Sequence, residues 1–106
     1  MKEIIGKLNK QFESRIRLGI MSVLMVNETI DFVSLKELLD TTDGNLASHL
    51  NSLEKNNLIE VKKQFIGRKP NTRYQITETG RSAFKEHLDY LIKLIRQDRG
   101  KKREEY

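Results

Sequence analysis

A mainly helical α+β domain with one small β-hairpin is predicted by three features of this 106-residue chain. Leucines recur at helical spacing in two consecutive short segments, separated by a few polar residues. A strand pair then flanks Gly67-Arg68-Lys69-Pro70-Asn71. A long amphipathic segment follows. The length suits one modest core and a single domain over residues 1–97. No apolar run approaches the roughly 20 residues that span a bilayer, and MKEIIGKLNK lacks the apolar centre of a signal peptide. The chain has no cysteine, which excludes disulfides and thiolate metal sites and is compatible with a cytoplasmic home.

Each element has its own signal. Ile4, Ile5, Leu8 and Phe12 show helical spacing and predict an N-terminal arm over residues 1–12. From Phe12 to about Asn27, Ile16, Ile20, Val23 and Leu24 share one helical face. Gly19 inside that helix costs about 1 kcal/mol relative to alanine, which a close helix crossing would explain. Asp31-Phe32-Val33 reads as a short strand. Ser34-Leu35-Lys36-Glu37 fits a capping box for a helix carrying Leu35, Leu38 and Leu39. Thr42-Asp43 opens the next helix, whose apolar line is Leu46, Leu50 and Leu53 and whose stop is Asn56-Asn57. Together the two make a helix-turn-helix. Leu58, Ile59, Val61 and Phe65 suggest a strand. Arg73 to Ile76 return with Tyr74 and Ile76 inward, and Pro70 falls where no ladder amide is needed. Thr77 caps a last helix over residues 78–97, and residues 98–106 read as a charged, disordered tail.

Charge is concentrated rather than spread. The chain carries a formal +5, yet Met1 to Ile59 holds seven Lys/Arg against eight Asp/Glu. Between Glu60 and Gln75, Lys62, Lys63, Arg68, Lys69 and Arg73 face Glu60 alone. A patch of this kind is an electrostatic footprint for phosphates. Lysines that protect a solvated hairpin from edge pairing give the same composition.

The helix before the hairpin adds a second signal. With Leu46, Leu50 and Leu53 facing the core, its opposite side carries Gly44, Asn45, Ser48, Asn51, Ser52 and Lys55, with His49 on a flank. Serine and asparagine hydrogen-bond base edges, and lysine reaches guanine or phosphate. A merely solvated face tends to use stronger helix formers. These residues and the basic hairpin mark double-stranded DNA as the expected partner. The hairpin tip, lacking stacking aromatics, argues against single strands.

Leu46 to Ile59 (LASHLNSLEKNNLI), the basic hairpin, and Tyr74-Gln75-Ile76-Thr77-Glu78-Thr79-Gly80 resemble the winged helix-turn-helix transcriptional regulators. The likeness is to small stand-alone regulators related to the multiple-antibiotic-resistance (MarR) and arsenic-responsive (ArsR) families. It implies a homodimer that places its third helix in the major groove and its wing alongside. It also implies that Asn45, Ser48, His49 and Ser52 face bases and that Arg68 and Lys69 are wing-tip contacts. Cysteine-based metal sensing, as in the arsenic-responsive relatives, is not expected.

The terminal helices supply the expected dimer surface. Phe84, Leu88, Leu91 and Ile95 repeat at 4-3-4 spacing, Ile92 thickens the stripe, and Ile4, Ile5, Leu8 and Phe12 also need burial. Packing back onto the same chain would use part of this stripe. An enzyme is not expected. His49 and His87, the only histidines, fall on different helices, with His87 taken as exposed, and no metal-ligand spacing or phosphate-binding glycine loop occurs. No cofactor is predicted, and no effector is legible. A winged-helix module that binds protein is the competing reading.

Overall fold

The computed structural model describes residues 1–98, so the predicted tail from Arg99 onward lies outside the described residues. Among the described residues five α-helices and a three-stranded antiparallel sheet follow in the order α1 (Lys2–Ile5), α2 (Arg15–Val26), β1 (Ile30–Asp31), α3 (Phe32–Leu39), α4 (Asp43–Lys55), β2 (Ile59–Ile66), β3 (Lys69–Ile76) and α5 (Glu78–Asp98), with a 3-10 turn at Lys10–Phe12 before α2. The sheet order is β1-β3-β2. Among the described residues no helix is long and apolar enough to cross a membrane.

The arm is shorter than its spacing predicts, a single helical turn. The first long helix starts at Arg15 because Ser14 caps it, accepting from the Ile16 and Arg17 amides at 3.2 and 3.3 Å. The expected Asp31–Val33 strand is only Ile30–Asp31, and the expected capping box at Ser34 does not form. Asp31 is the cap instead, its carboxylate accepting from the Ser34 amide at 3.3 Å. Hydrogen bonding to Ser34, helped by the charge of Arg73, holds that carboxyl below the usual aspartate range. The strand therefore runs straight into α3, and Phe32 and Val33 become its first turn. Leu35 is fully buried there, whereas Leu38 is exposed.

Ile16, Ile20, Met21 and Leu24 of α2 meet Leu35 of α3 and Leu46, Leu50 and Leu53 of α4 in one core, closed by Ile59, Tyr74, Ile76 and Phe84. Gly19 serves the predicted close crossing, since a Cβ there would stand 2.5 Å from Leu39 Cδ2. Helix α4 ends in a Schellman turn. The Leu58 amide bonds the Leu53 carbonyl at 3.0 Å, and the Asn57 amide bonds Glu54 at 2.9 Å. Asn57 takes the left-handed conformation (φ 60°) that asparagine tolerates better than most residues. This turn aims the chain from α4 into β2, and so fixes where the hairpin stands relative to the helix.

The hairpin is tighter than predicted. Ile66 pairs with Lys69, leaving Gly67-Arg68 as a two-residue turn with Gly67 at φ 66°. Pro70 lies opposite Phe65, the next pair along, where an antiparallel ladder needs no amide from it. Tyr74 and Ile76 are buried as expected. Phe65 is not: it is 72% exposed beside the turn, with Ile66 at 61%. The tip thus does carry an aromatic side chain, contrary to the expectation from sequence. Phe65 shares strand parity with Ile59 and Val61 but lies beyond the end of the core, where no buried surface receives it.

His87 corrects another expectation. It is buried, not exposed, with its Nδ1 accepting from the Asn9 amide at 3.0 Å and its ring edge-on to Phe12 at 5.3 Å. Phe12 in turn meets Phe84 edge-on at 5.1 Å. These contacts fasten the N-terminal segment to α5. Burial lowers the His87 pKa below the ordinary histidine value, and Glu13 opposes that shift. The folded state therefore keeps the ring neutral while the unfolded chain takes up a proton first. Stability is full above about pH 6.5 and is lost as pH falls through the lower folded-state value. Urea midpoints between pH 7 and 5 are expected to fall in the parent and to fall less in His87→Gln, whose amide oxygen accepts without titrating.

Candidate nucleic-acid interface

Helix α4 presents its core and outer faces as its spacing dictates. Leu46, Leu50 and Leu53 are buried, while Gly44, Asn45, Ser48, Asn51 and Lys55 are exposed. Thr42 caps the helix, accepting from the Asn45 amide at 3.2 Å, and the Asn45 side chain donates to Thr41 at 2.9 Å. Nothing stands within 4 Å of where a Gly44 Cβ would sit, so that end of the helix is open. At the same end Asp43 pairs with Lys36 at 2.9 Å on the exposed surface, an ion pair worth little in water.

His49 and Ser52 differ from their neighbours, being only half-exposed. The Arg17 Nε donates to His49 Nδ1 at 2.9 Å, and the Arg17 Nη1 donates to Gln11 Oε1 at 2.8 Å. Ser52 also donates to that Gln11 oxygen, at 3.3 Å. One guanidinium thus ties the 3-10 turn, α2 and the flank of α4 together. Sequence reasoning missed this cluster because His49 lies 32 residues from Arg17 and Ser52 lies 41 from Gln11. No local spacing signals such pairs.

The basic residues of the hairpin divide by strand parity. Lys63 shares a face with Val61, Thr72 and Tyr74, and these line an open groove of about 560 Å³ against Leu50, Asn51 and Glu54 of α4. Glu54 therefore places one carboxylate on the hairpin-facing flank of the helix. Burial, and then that Glu54 charge, push the Tyr74 hydroxyl pKa up. Lys62, Lys69 and Arg73 fall on the opposite face, and Arg68 sits in the turn. Arg73 is already engaged: it donates to Thr29 at 2.8 Å and stands across the ladder from Asp31, fastening β1 to β3. Lys62, Lys63, Arg68 and Lys69 are exposed.

The terminal apolar residues divide as well. Phe12 and Phe84 are almost wholly buried within the chain, so they support the core and cannot serve as an exposed interface. Ile5, Leu88, Ile92 and Ile95 are exposed, and Ile4, Leu8 and Leu91 are half-exposed. The Cα radius of gyration is 16.4 Å, against about 13 Å for a compact chain of this length. The 21-residue α5 leaves Leu88, Ile92 and Ile95 uncovered in this elongated form. Among the described residues no cluster of three or more His, Cys, Asp or Glu is placed to hold a metal.

Comparison with known proteins bears on this surface. Residues 16–95 match the family model described as a winged helix DNA-binding domain. An uncharacterized protein of Methanocaldococcus jannaschii is 40% identical over 85 residues, covering 80% of this chain and 92% of the relative. A transcriptional regulator homologue from Pyrococcus horikoshii OT3 superposes with a TM-score of 0.78 at 35% identity, covering 89% of this chain and 91% of that one. A transcriptional regulator of the MarR family from Porphyromonas gingivalis W83 shares the fold, with a TM-score of 0.66 at 21% identity over 80% of this chain and 81% of its own.

Proposed function

The chain belongs to the family of winged helix DNA-binding domains, and from that premise we propose that it is a homodimeric transcriptional regulator that binds double-stranded DNA sequence-specifically. The observation that carries this reading is the exposed Asn45–Ser48–Asn51–Lys55 face of α4 standing beside a hairpin with the exposed cationic side chains of Lys62, Lys63, Arg68 and Lys69. The helix enters the major groove, where serine and asparagine read base edges. Arg68 and Lys69 meet the backbone or minor groove, with Lys62 and Lys63 adding charge. The relative from Pyrococcus horikoshii, named as a transcriptional regulator homologue, supports the role. In this reading the protein is not an enzyme, uses no cofactor and works in the cytoplasm.

The uncovered stripe of α5 supports the dimer. Leu88, Ile92 and Ile95, with Ile5 from the arm, offer exposed apolar surface that a two-fold contact between copies would bury. The two α4 helices then fall on successive major-groove faces about 34 Å apart, on an inverted repeat.

Fluorescence anisotropy with random duplex DNA at several salt concentrations tests the reading. The parent should weaken steeply with salt, and Arg68→Ala/Lys69→Ala should reduce the log–log slope by about one to two. Absence of duplex binding at low salt by a folded protein would sink it. One observation favours a second reading in that event: exposed Phe65 and Ile66 give the hairpin an apolar tip suited to a protein partner.

A further inference from the structure

We propose that Arg17 is a positioning residue that locks His49 into one tautomer, making it a pure hydrogen-bond donor to the major groove and a determinant of base choice. The inference rests on the DNA-binding reading above and adds to it a residue, a chemistry and a discrimination. Arginine carries only donors and does not lose its proton in proteins. Its Nε–H meets His49 Nδ1 at 2.9 Å, so that ring nitrogen presents its lone pair. A neutral imidazole holds one proton, which must then be on Nε2.

The rest of the geometry maintains this state. Protonating Nδ1 would set two donors against each other beside a fixed positive charge. Partial burial of the ring, and then the Arg17 charge, hold the His49 pKa below the ordinary value. Gln11 from the 3-10 turn and Ser52 from α4, which complete the cluster, are uncharged. Gln11 Oε1 also accepts from Arg17 at 2.8 Å, so the guanidinium is held from two sides. Among the described residues His49 Nε2 has no partner and is not buried. It lies one turn from Asn45 and next to Ser48 on the helix, and so borders the exposed reading face.

A lone donor at this position pairs with guanine O6 or N7, adenine N7 or thymine O4, and is opposed by the amino group of cytosine. A histidine without Arg17 exchanges tautomers and can accept from cytosine as readily as it donates. Arg17 therefore sets what His49 rejects, without touching DNA itself.

The test uses the full chain in two steps. In the free protein, long-range ¹H–¹⁵N NMR of the His49 ring at pH 7 should show the Nε2–H tautomer alone. Arg17→Met should give averaged ring nitrogen shifts while the backbone spectrum stays folded. Next, duplexes are selected from a random pool by the parent, and each selected position is replaced by cytosine. One position should show a penalty of roughly two- to tenfold in the parent that falls towards onefold in both Arg17→Met and His49→Gln. Glutamine both donates and accepts, so His49→Gln checks the selectivity with Arg17 itself retained. A mixed tautomer in the parent, or a cytosine penalty unchanged in both variants, overturns the assignment while leaving DNA binding intact. A parent that binds no duplex overturns the regulator reading, and this inference with it.

Discussion

Gly80→Ala is expected to cost at least about 3 kcal/mol of stability, read as a lower urea midpoint at unchanged slope. A Cβ at Gly80 would fall inside the van der Waals envelope of the Leu58 carbonyl oxygen, and close to its carbon. That carbonyl cannot swing aside. It accepts the Thr77 amide at 3.1 Å, and Leu58 is itself buried beyond the Schellman turn of α4. Nor can the helix start move, because Thr77 Oγ1 accepts the Gly80 amide and donates to the Asn57 carbonyl, both at 2.8 Å. The clash sets a methyl against fixed backbone at the junction that joins α4, β3 and α5. Gly19→Ala is the control, for its new methyl meets only the end of a flexible side chain, Leu39. There the helix-propensity gain of about 1 kcal/mol offsets much of the repacking. Equal losses at the two glycines would show that backbone approach at Gly80 does not govern the effect.

Phe12→Ala is expected to cost about 3–5 kcal/mol. The ring is 1% exposed and lies edge-on to both Phe84 and His87. Its removal leaves a cavity under the 3-10 turn and loosens the Asn9–His87 hydrogen bond, the polar tie between the N-terminal segment and α5. Ile5, in the same segment but 53% exposed, makes the contrast. Ile5→Ala should change the stability of the isolated chain by less than about 0.5 kcal/mol. A loss at Ile5 that depends on protein concentration would instead report a dimer contact. A Phe12→Ala loss under about 1 kcal/mol, measured by urea unfolding, would mean the aromatic cluster is not part of the cooperative core.

The sequence made the helix-turn-helix and hairpin legible because their signals are local. Leu46, Leu50 and Leu53 are spaced by helix geometry, Thr42 and Thr77 sit one residue ahead of the turns they cap, and Tyr74 and Ile76 alternate in a strand. Asp31 and Ser34 show where local rules compete. Either residue fits an N-cap, and the pairing of Ile30–Asp31 with β3, a contact distant in sequence, decides in favour of Asp31. The outer face of α4 was legible as composition, but the roles of His49, Ser52 and Arg73 were not. Each is held by a partner tens of residues away, and single-chain spacing carries no trace of such a bond. Phe12, Phe84 and His87 escaped for the same reason. Their apolar stripes were visible, yet which members turn inward depends on how the two chain segments meet.

The Asn9–His87 contact joins residues 78 positions apart, and this separation sets an order of events during synthesis. At roughly 5–20 residues per second, the ribosome needs roughly 4 to 16 s after making Asn9 before His87 exists. During that interval Phe12 has neither Phe84 nor His87 to cover it. The reading helix and hairpin are made earlier, yet the core beneath them stays open until α5 arrives. The domain is therefore unfinished at its first segment until nearly all of it has been translated. Holding the opening segment clear of aggregation over those seconds falls to its own charged residues and to whatever shields emerging chains.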